Sequence, residues 1–301
     1  MEIIVSAIGQ GLIWATLGVG LFLSFRILNF PDMTVEGTFP LGAAVSVTLI
    51  TMGMNPLLAA LIAAFAGGIA GLVTGLLYTK GKIPILLAGI LTMTAIYSIN
   101  LRIMGQANKS LLGMTTLFNA KWLDFLPTNF PTVLVGLILI TLITGGMALF
   151  LQTELGQAFI ATGDNPAMAR SMGINSDAMT TMGLIISNAL IAFGGALVAQ
   201  NNGFADVNMG IGIIVVALAS IIIGEVAFSE QMTLGERLMT IVIGSILYRF
   251  VLVAVLYAGF NANDLNLFSA VILGLALLLP QLKQKIQLSK VLKNGVAQHG
   301  K

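Results

Sequence analysis

The chain has 301 residues, of which 57% are hydrophobic and only 9% are charged, and its formal net charge is +2. A soluble domain carries about 25% charged residues, so this composition excludes a sizeable soluble domain and indicates a polytopic membrane protein. The chain has no cysteine, and its single histidine, His299, lies in the C-terminal tail. Disulfides, thiolate metal sites and histidine-based catalytic triads are therefore excluded, and the small net charge gives no reason to expect nucleic acid as a partner.

Continuous apolar runs predict an all-α transmembrane bundle, because each run approaches the ~20 residues that a membrane-spanning helix needs. We expect about nine spans within a single transmembrane domain, 1–301. The second, seventh and ninth runs are short, which suggests broken, tilted or partly re-entrant helices. The predicted spans lie near 4–27, 39–54, 56–78, 84–105, 131–152, 181–201, 211–228, 236–257 and 267–281.

An internal similarity relates the two halves of the chain. Phe-Pro-Asp at 30–32 follows the first span, and Phe-Ala-Asp at 204–206 follows the sixth, with a glycine ten residues before each phenylalanine. These two spans are expected to cross the membrane in opposite directions. The similarity therefore predicts two inverted repeat units, about 4–105 and about 181–281, joined by the span at 131–152.

The distribution of basic residues predicts the orientation in the membrane, because cytoplasmic loops are enriched in lysine and arginine. With the polar segment at 153–180 placed in the cytoplasm, only Lys109 and Lys121 fall in an external loop. The N-terminus is then external and the C-terminus cytoplasmic. The basic tail, 282–301, is expected to lie in solvent near anionic lipid.

After the first span, residues 29–44 read NFPDMTVEGTFPLGAA. Pro31 and Pro40 interrupt helical structure, and Asp32, Glu36 and Thr38 bring polar groups close to the membrane. Asn29, Asp32 and Glu36 are candidates for a solute path or gate. A short cytoplasmic turn is the alternative interpretation of the same residues.

Two faces stand out in the third and fourth spans. Gly67, Gly71 and Gly75 repeat every fourth residue, which predicts a face that another helix approaches closely, either in a second copy or within one subunit. Thr94 and Ser98 share a face of the fourth span. Their hydroxyls either line a water-filled path or bond back to their own helix.

The segment Thr153–Asn175, TELGQAFIATGDNPAMARSMGIN, is a long polar run between apolar spans. Its Asp-Asn-Pro sequence at 164–166 predicts a helix cap with proline at the first helical position. The helix is expected to run about two turns to Met172, and Gly173 is placed to end it. A short capped helix offers a rigid knob to another protein, whereas an ordinary polar loop is the alternative.

Three charged residues lie within predicted spans. Arg102 is in the fourth span, Glu225 is at the inner end of the seventh, and Arg249 is in the eighth. A charge within a membrane is a functional candidate by default, because leaving it unpaired costs several kcal/mol. For Glu225 and Arg249, a structural ion pair that holds helices in register is the favoured interpretation.

The polar segment resembles the coupling loop of importer permeases of the ATP-binding cassette class, in the superfamily of branched-chain amino acid and ribose permeases. Ile160 departs from the pattern, since relatives often carry arginine there. Residues 29–44 resemble the F-P-D-x-T/S-V-E/D-G-x-F-x-L-G signature of one branch of this superfamily. The matching coupling-loop positions are Thr153, Gly156, Ala161, Gly163, Asn165, Ala169, Gly173 and Ile174.

The resemblance implies a permease subunit that forms the translocation path for a small organic solute, with an amino acid favoured over a sugar or nucleoside. The sequence has no Walker A loop, so the chain is expected to be no enzyme and to bind no cofactor, while a partner ATPase subunit binds ATP and Mg and hydrolyses the ATP. The other implied partners are an extracytoplasmic solute-binding protein, a second permease copy and membrane lipid. The implied location is the bacterial plasma membrane. The alternative function is an ion-coupled secondary transporter, with Asp32 and Asp206 as proton or cation sites.

Two sets of candidate residues follow. Those implied to couple the permease to the ATPase are Glu154, Gly156, Gly163, Asp164, Asn165, Pro166, Ala169, Arg170 and Gly173. Those proposed for the path or its gate are Asn29, Asp32, Glu36, Thr94, Ser98, Asn188, Asn201 and Asp206.

Overall fold

A computed structural model describes residues 2–120, 123, 127, 129–228, 233–261 and 264–278. Over these residues the chain forms a helical bundle with one two-stranded antiparallel sheet. The predictions for Lys121 and for the tail, 282–301, lie outside the described residues. The elements are α1 (Glu2–Leu21), a π-helix that continues it (Phe22–Ile27), α2 (Val35–Thr51), α3 (Pro56–Thr79), α4 (Ile85–Met104), β1 (Asn108–Ser110), α5 (Phe130–Gln152), α6 (Glu154–Asp164), α7 (Pro166–Ser171), α8 (Ser176–Asn202), β2 (Phe204–Asp206), a 3₁₀ turn (Val207–Gly210), α9 (Ile213–Ala227), α10 (Leu234–Tyr257) and α11 (Leu265–Leu278).

The apolar runs coincide with helices, and the helix ends fall within a few residues of the predicted ones. Among the described residues, seven helices are long and apolar enough to cross a membrane, while α2 and α11 are shorter apolar helices. The seventh run reaches spanning length only when the 3₁₀ turn is joined to α9, as Val207–Ala227. The all-α polytopic architecture is thus confirmed, and the count of nine spans stays a prediction.

The glycine face of α3 packs against α8 within the subunit. A Cβ at Gly67 would lie 2.5 Å from the carbonyl oxygen of Asn188, and one at Gly71 would lie 2.2 Å from that of Leu184. At these distances no side chain fits, so the two backbones are in direct contact. The expectation that this face buries a second copy is therefore wrong, and the alternative of packing within one subunit is confirmed.

The aspartates of the two tripeptides accept the same local hydrogen bond, although Phe204–Asp206 is a strand and residues 30–32 are not. Asp32 Oδ1 accepts a hydrogen bond from the Thr34 backbone N–H (2.9 Å), and Asp206 Oδ1 accepts one from the Asn208 N–H (2.7 Å). Each aspartate thus shapes a turn that follows a long helix. The inverted repeat as a whole stays a prediction.

The bundle has two ends that differ in what they carry. One end carries α6 and α7, and the other carries the sheet, in which Asn108 pairs with Asp206 and Ser110 with Phe204. Ser6 of α1 lies near the sheet, whereas Asn29, just after the π-helix, contacts Gly163 of α6. The first span therefore runs from the β1–β2 end to the α6–α7 end.

Candidate functional site

The predicted short capped helix is present as α7. The Asn165 side chain accepts hydrogen bonds from the backbone N–H groups of Ala167 (3.1 Å) and Met168 (3.0 Å), which caps the helix. Gly173 has φ +85°, in the left-handed region that suits a helix C-terminus. The helix prediction is confirmed, with Ser171 instead of Met172 as the last helical residue. Asp164 is no part of the cap, because it is the last residue of α6.

The prediction of a loop before α7 is wrong, because Glu154–Asp164 form a further helix, α6. The Thr153 side chain caps it by accepting a hydrogen bond from the Gly156 N–H (3.2 Å), and Glu154 lies exposed in its first turn. A Cβ at Gly156 would lie 2.2 Å from the Phe150 carbonyl oxygen, so α6 folds back closely on the end of α5. The signal that indicates this helix is Thr153 before an acidic residue, followed by apolar residues at helical spacing.

The two faces of the α6–α7 unit have different roles. Ile160 is partly buried against the hydrophobic core, and Ala169 is buried as well. On the outer surface Met168 is 53% exposed and Met172 is 66% exposed. Exposed apolar side chains on a projecting knob are typical of a protein-docking surface.

An exposed ion pair links Arg170 of α7 to the start of α8. The Arg170 Nη2 lies 3.2 Å from Asp177 Oδ1 at the start of α8, and Lys82 Nζ lies 3.5 Å from the other oxygen of the same carboxylate. All three side chains are largely exposed, so each pair contributes on the order of 1 kcal/mol or less. Arg170 thus orients α7 against α8.

Two of the candidate path residues form the centre of a buried polar cluster. Asn188 Nδ2 donates to Asp32 Oδ2 (2.7 Å), and the Thr38 hydroxyl donates to Asn188 Oδ1 (2.8 Å). The hydroxyls of Thr34 and Thr74 share a hydrogen bond beside them (2.8 Å). All of these side chains are buried, so the cluster joins α2, α3 and α8 and is closed to solvent in this conformation.

Other candidate path residues lie elsewhere. Glu36 Oε1 accepts from the Gly212 N–H (3.2 Å), which ties the start of α2 to the start of α9. Asp206 accepts a hydrogen bond from the Asn108 side chain (3.1 Å) at the β1–β2 end. Asp32 and Asp206 are therefore not brought together.

A cavity of about 1080 Å³ opens at the β1–β2 end. Asn201 borders it and accepts a hydrogen bond from the Thr132 hydroxyl (3.2 Å). Ser6 and Gln10 of α1 contribute further neutral polar groups to the wall. The cavity offers hydroxyl and amide groups to whatever approaches this end.

Thr94 and Ser98 lie on the exposed face of α4, with Arg102 one turn further along. The Thr94 hydroxyl donates to the Ile90 carbonyl oxygen of its own helix (2.8 Å), so the back-bonding alternative is confirmed for Thr94. The opposite face of α4, which includes Gly89 and Asn100, packs against the start of α2. The exposed face thus carries three polar residues at a spacing of four.

The membrane-embedded charges have different partners. Glu225 Oε1 lies 3.0 Å from Arg26 Nε, so the ion-pair interpretation of Glu225 is confirmed. Arg249 instead lies over the Trp14 ring, with its guanidinium carbon 4.1 Å from the ring centroid. Its Nε has no hydrogen-bond partner within the described part of the chain, and no carboxylate pairs with it there. For Arg249 the ion-pair interpretation is replaced by a cation–π contact.

The sequence as a whole matches known proteins over most of its length. The family described as "branched-chain amino acid transport system / permease component" matches residues 3–279. The tyrosine transport system permease protein of Clostridioides difficile (strain R20291) is 40% identical over 273 residues, covering 91% of this chain and 90% of that protein. An uncharacterized protein of Rickettsia prowazekii (strain Madrid E) is 36% identical, covering 92% of this chain and 97% of that protein.

A more distant relative is the autoinducer 2 import system permease protein LsrC of Yersinia enterocolitica. It is 26% identical over 228 residues, which cover 72% of this chain and 58% of that protein. The family match covers both the motif at 29–44 and the polar segment Thr153–Asn175. The chain therefore belongs to the branched-chain amino acid transport system permease family and is a permease subunit of an ATP-binding cassette transporter.

Proposed function

We propose that this permease imports an amino acid. The observation that carries the proposal is the 40% identity to a tyrosine transport permease over nearly the full length of both chains. The autoinducer 2 permease, at 26% identity, supports a second candidate cargo that is no amino acid. The ATPase of the complex is a separate subunit, which binds the ATP and Mg.

The ATPase docks at the α6–α7 end, which is the cytoplasmic end. Met168 and Met172 present apolar side chains there on a short helix that is capped at both ends. The Lys82 and Arg170 side chains lie at the same end, in agreement with the enrichment of basic residues in cytoplasmic loops. The N-terminus and the β1–β2 end are then external, and the binding protein delivers solute to that end.

The path runs along the exposed face of α4, between two copies of the permease. Ser98 and Arg102 are polar groups on the surface of a membrane helix, where contact with lipid is costly, and Thr94 lies on the same face with its hydroxyl bonded to the Ile90 carbonyl oxygen. A second copy that faces the same stripe encloses these groups in a water-filled space. Asn188 and Asp32 are buried inside the subunit, so we assign them to the support of the path and not to its wall.

Transport in a reconstituted complex tests the cargo. The permease, its ATPase and its binding protein are placed in proteoliposomes, and uptake of labelled tyrosine, leucine, ribose and autoinducer 2 is measured with and without ATP. We expect ATP-dependent uptake of an amino acid. Uptake of ribose or autoinducer 2 without uptake of either amino acid contradicts the proposal of an amino acid cargo. Uptake driven by an ion gradient without ATP supports the ion-coupled alternative.

Thiol labelling tests the path. The chain has no cysteine, so Thr94→Cys or Ser98→Cys introduces a unique thiol. We expect it to react with a small aqueous thiol reagent in at least one transport state, because the α4 face is in contact with water. The matched control is Leu142→Cys, on the exposed apolar face of α5, which we expect to stay unreactive. Protection of both α4 positions in all states contradicts the proposed path.

A further inference from the structure

The turn that follows the first span is tightly constrained. The π-helix at Phe22–Ile27 ends in a reversal, in which the Leu28 N–H bonds the Leu23 carbonyl (3.0 Å) and the Phe30 N–H bonds the Ser24 carbonyl (2.9 Å). Asn29 sits between them with φ +52°, a left-handed conformation that few residues other than glycine adopt. π-Helical turns occur often at functional sites.

On its cytoplasmic side, this turn is in direct contact with α6. The Asn29 side-chain amide donates a hydrogen bond to the Gly163 carbonyl oxygen (3.2 Å). A Cβ at Gly163 would lie 1.8 Å from the Ile27 carbonyl oxygen, so the two backbones touch. Phe159, one turn earlier on α6, packs with Leu28 over Gly183 of α8. A movement of α6 toward or away from the membrane therefore displaces the turn directly.

On its membrane side, the same turn leads into the buried polar cluster. Asp32, three residues after Asn29, uses one carboxylate oxygen for the Asn188 amide and the other for the Thr34 N–H. Glu36 then ties the first turn of α2 to Gly212. Asp32 thus fixes the turn to α8. The helix that follows the turn, α2, is tied by Glu36 to the start of α9.

A third contact joins the turn to the inner end of α9. Arg26, the penultimate π-helical residue, pairs with Glu225 at 3.0 Å. Ser187 of α8 donates to the Gly20 carbonyl oxygen (2.7 Å) just above the π-helix. The turn accordingly connects α6 with three of the helices that surround the membrane core.

We infer that the turn at Arg26–Asp32 transmits the movement of the α6–α7 unit to α2 and, through the Arg26–Glu225 pair, to α9, with Asn29 as a positioning residue. This inference rests on the proposed function, in which an ATPase drives α7. The motif at 29–44 then has a mechanical role at its start. Asn29 acts through Gly163 and the turn, so its loss uncouples ATP hydrolysis from uptake without removing either partner-binding surface.

The test compares Asn29→Gly and Asn29→Asp in the full reconstituted complex. Glycine keeps the positive φ and removes the amide, and aspartate tolerates the positive φ but offers no N–H to Gly163. We expect both variants to assemble and to hydrolyse about three to ten times more ATP per solute imported, as for the loss of one hydrogen bond. The matched control is Gly53→Asn, which places asparagine at another position of positive φ (+88°), where a Cβ meets no atom within 4 Å.

An unchanged ratio of ATP to solute in either assembled variant overturns the inference. If Asn29→Gly fails to assemble, Asn29→Asp carries the test. Absence of uptake by the wild-type complex would instead count against the proposed function, so the two failures are distinguishable.

Discussion

Replacing Gly173 by valine tests whether α7 is the element that couples the ATPase to the permease. Gly173 has φ +85°, and a Cβ built on it meets no atom within 4 Å. The cost of a β-branched side chain is therefore backbone strain alone, about 1–2 kcal/mol. The strain acts on the hydrogen bonds that close the helix, from the Gly173 N–H to Arg170 (3.0 Å) and from the Ile174 N–H to Ala169 (3.0 Å).

A penalty of this size changes the population of the correctly oriented knob about 5- to 30-fold. We expect Gly173→Val to insert and dimerise normally while solute-stimulated ATP hydrolysis and uptake fall together by a comparable factor. Both are measured in proteoliposomes that contain the binding protein. Gly173→Asn is the matched control, because asparagine tolerates the left-handed region, and it should retain most of the activity. If the valine variant transports as well as the asparagine variant, α7 is not the coupling element.

Two further predictions concern the contacts that hold the subunit together. Gly71→Ala should lower the free energy of unfolding, measured by denaturation in detergent, by about 1–3 kcal/mol, because its Cβ would lie 2.2 Å from the Leu184 carbonyl oxygen. The control Gly145→Ala should show no such loss, because a Cβ at Gly145 meets no atom within 4 Å. Reversing the charge of Arg26 alone should reduce uptake, and adding Glu225→Arg to Arg26→Glu should restore much of it, because the two side chains pair at 3.0 Å. A double variant no more active than the single one contradicts the role of that ion pair.

The sequence alone determined the features that depend on short stretches of chain. Apolar runs located the helices within a few residues, because a lipid environment requires continuous helices whose outer surfaces are apolar. Asn165 and Gly173 were correctly assigned to the two ends of α7, since capping involves only neighbouring residues. The polar segment Thr153–Asn175 and the motif at 29–44 indicated the permease family, and the family match over residues 3–279 confirms it.

Only the tertiary structure decided which faces meet. Gly67 and Gly71 have the spacing of a close-packed face, but their partner proved to be α8 of the same subunit, more than one hundred residues away. The pairing of Asp32 with Asn188, and that of Arg26 with Glu225, likewise join residues that are distant in sequence. A helical pattern specifies which side of a helix is small, apolar or polar, and it contains no information on the neighbour that the bundle places against that side.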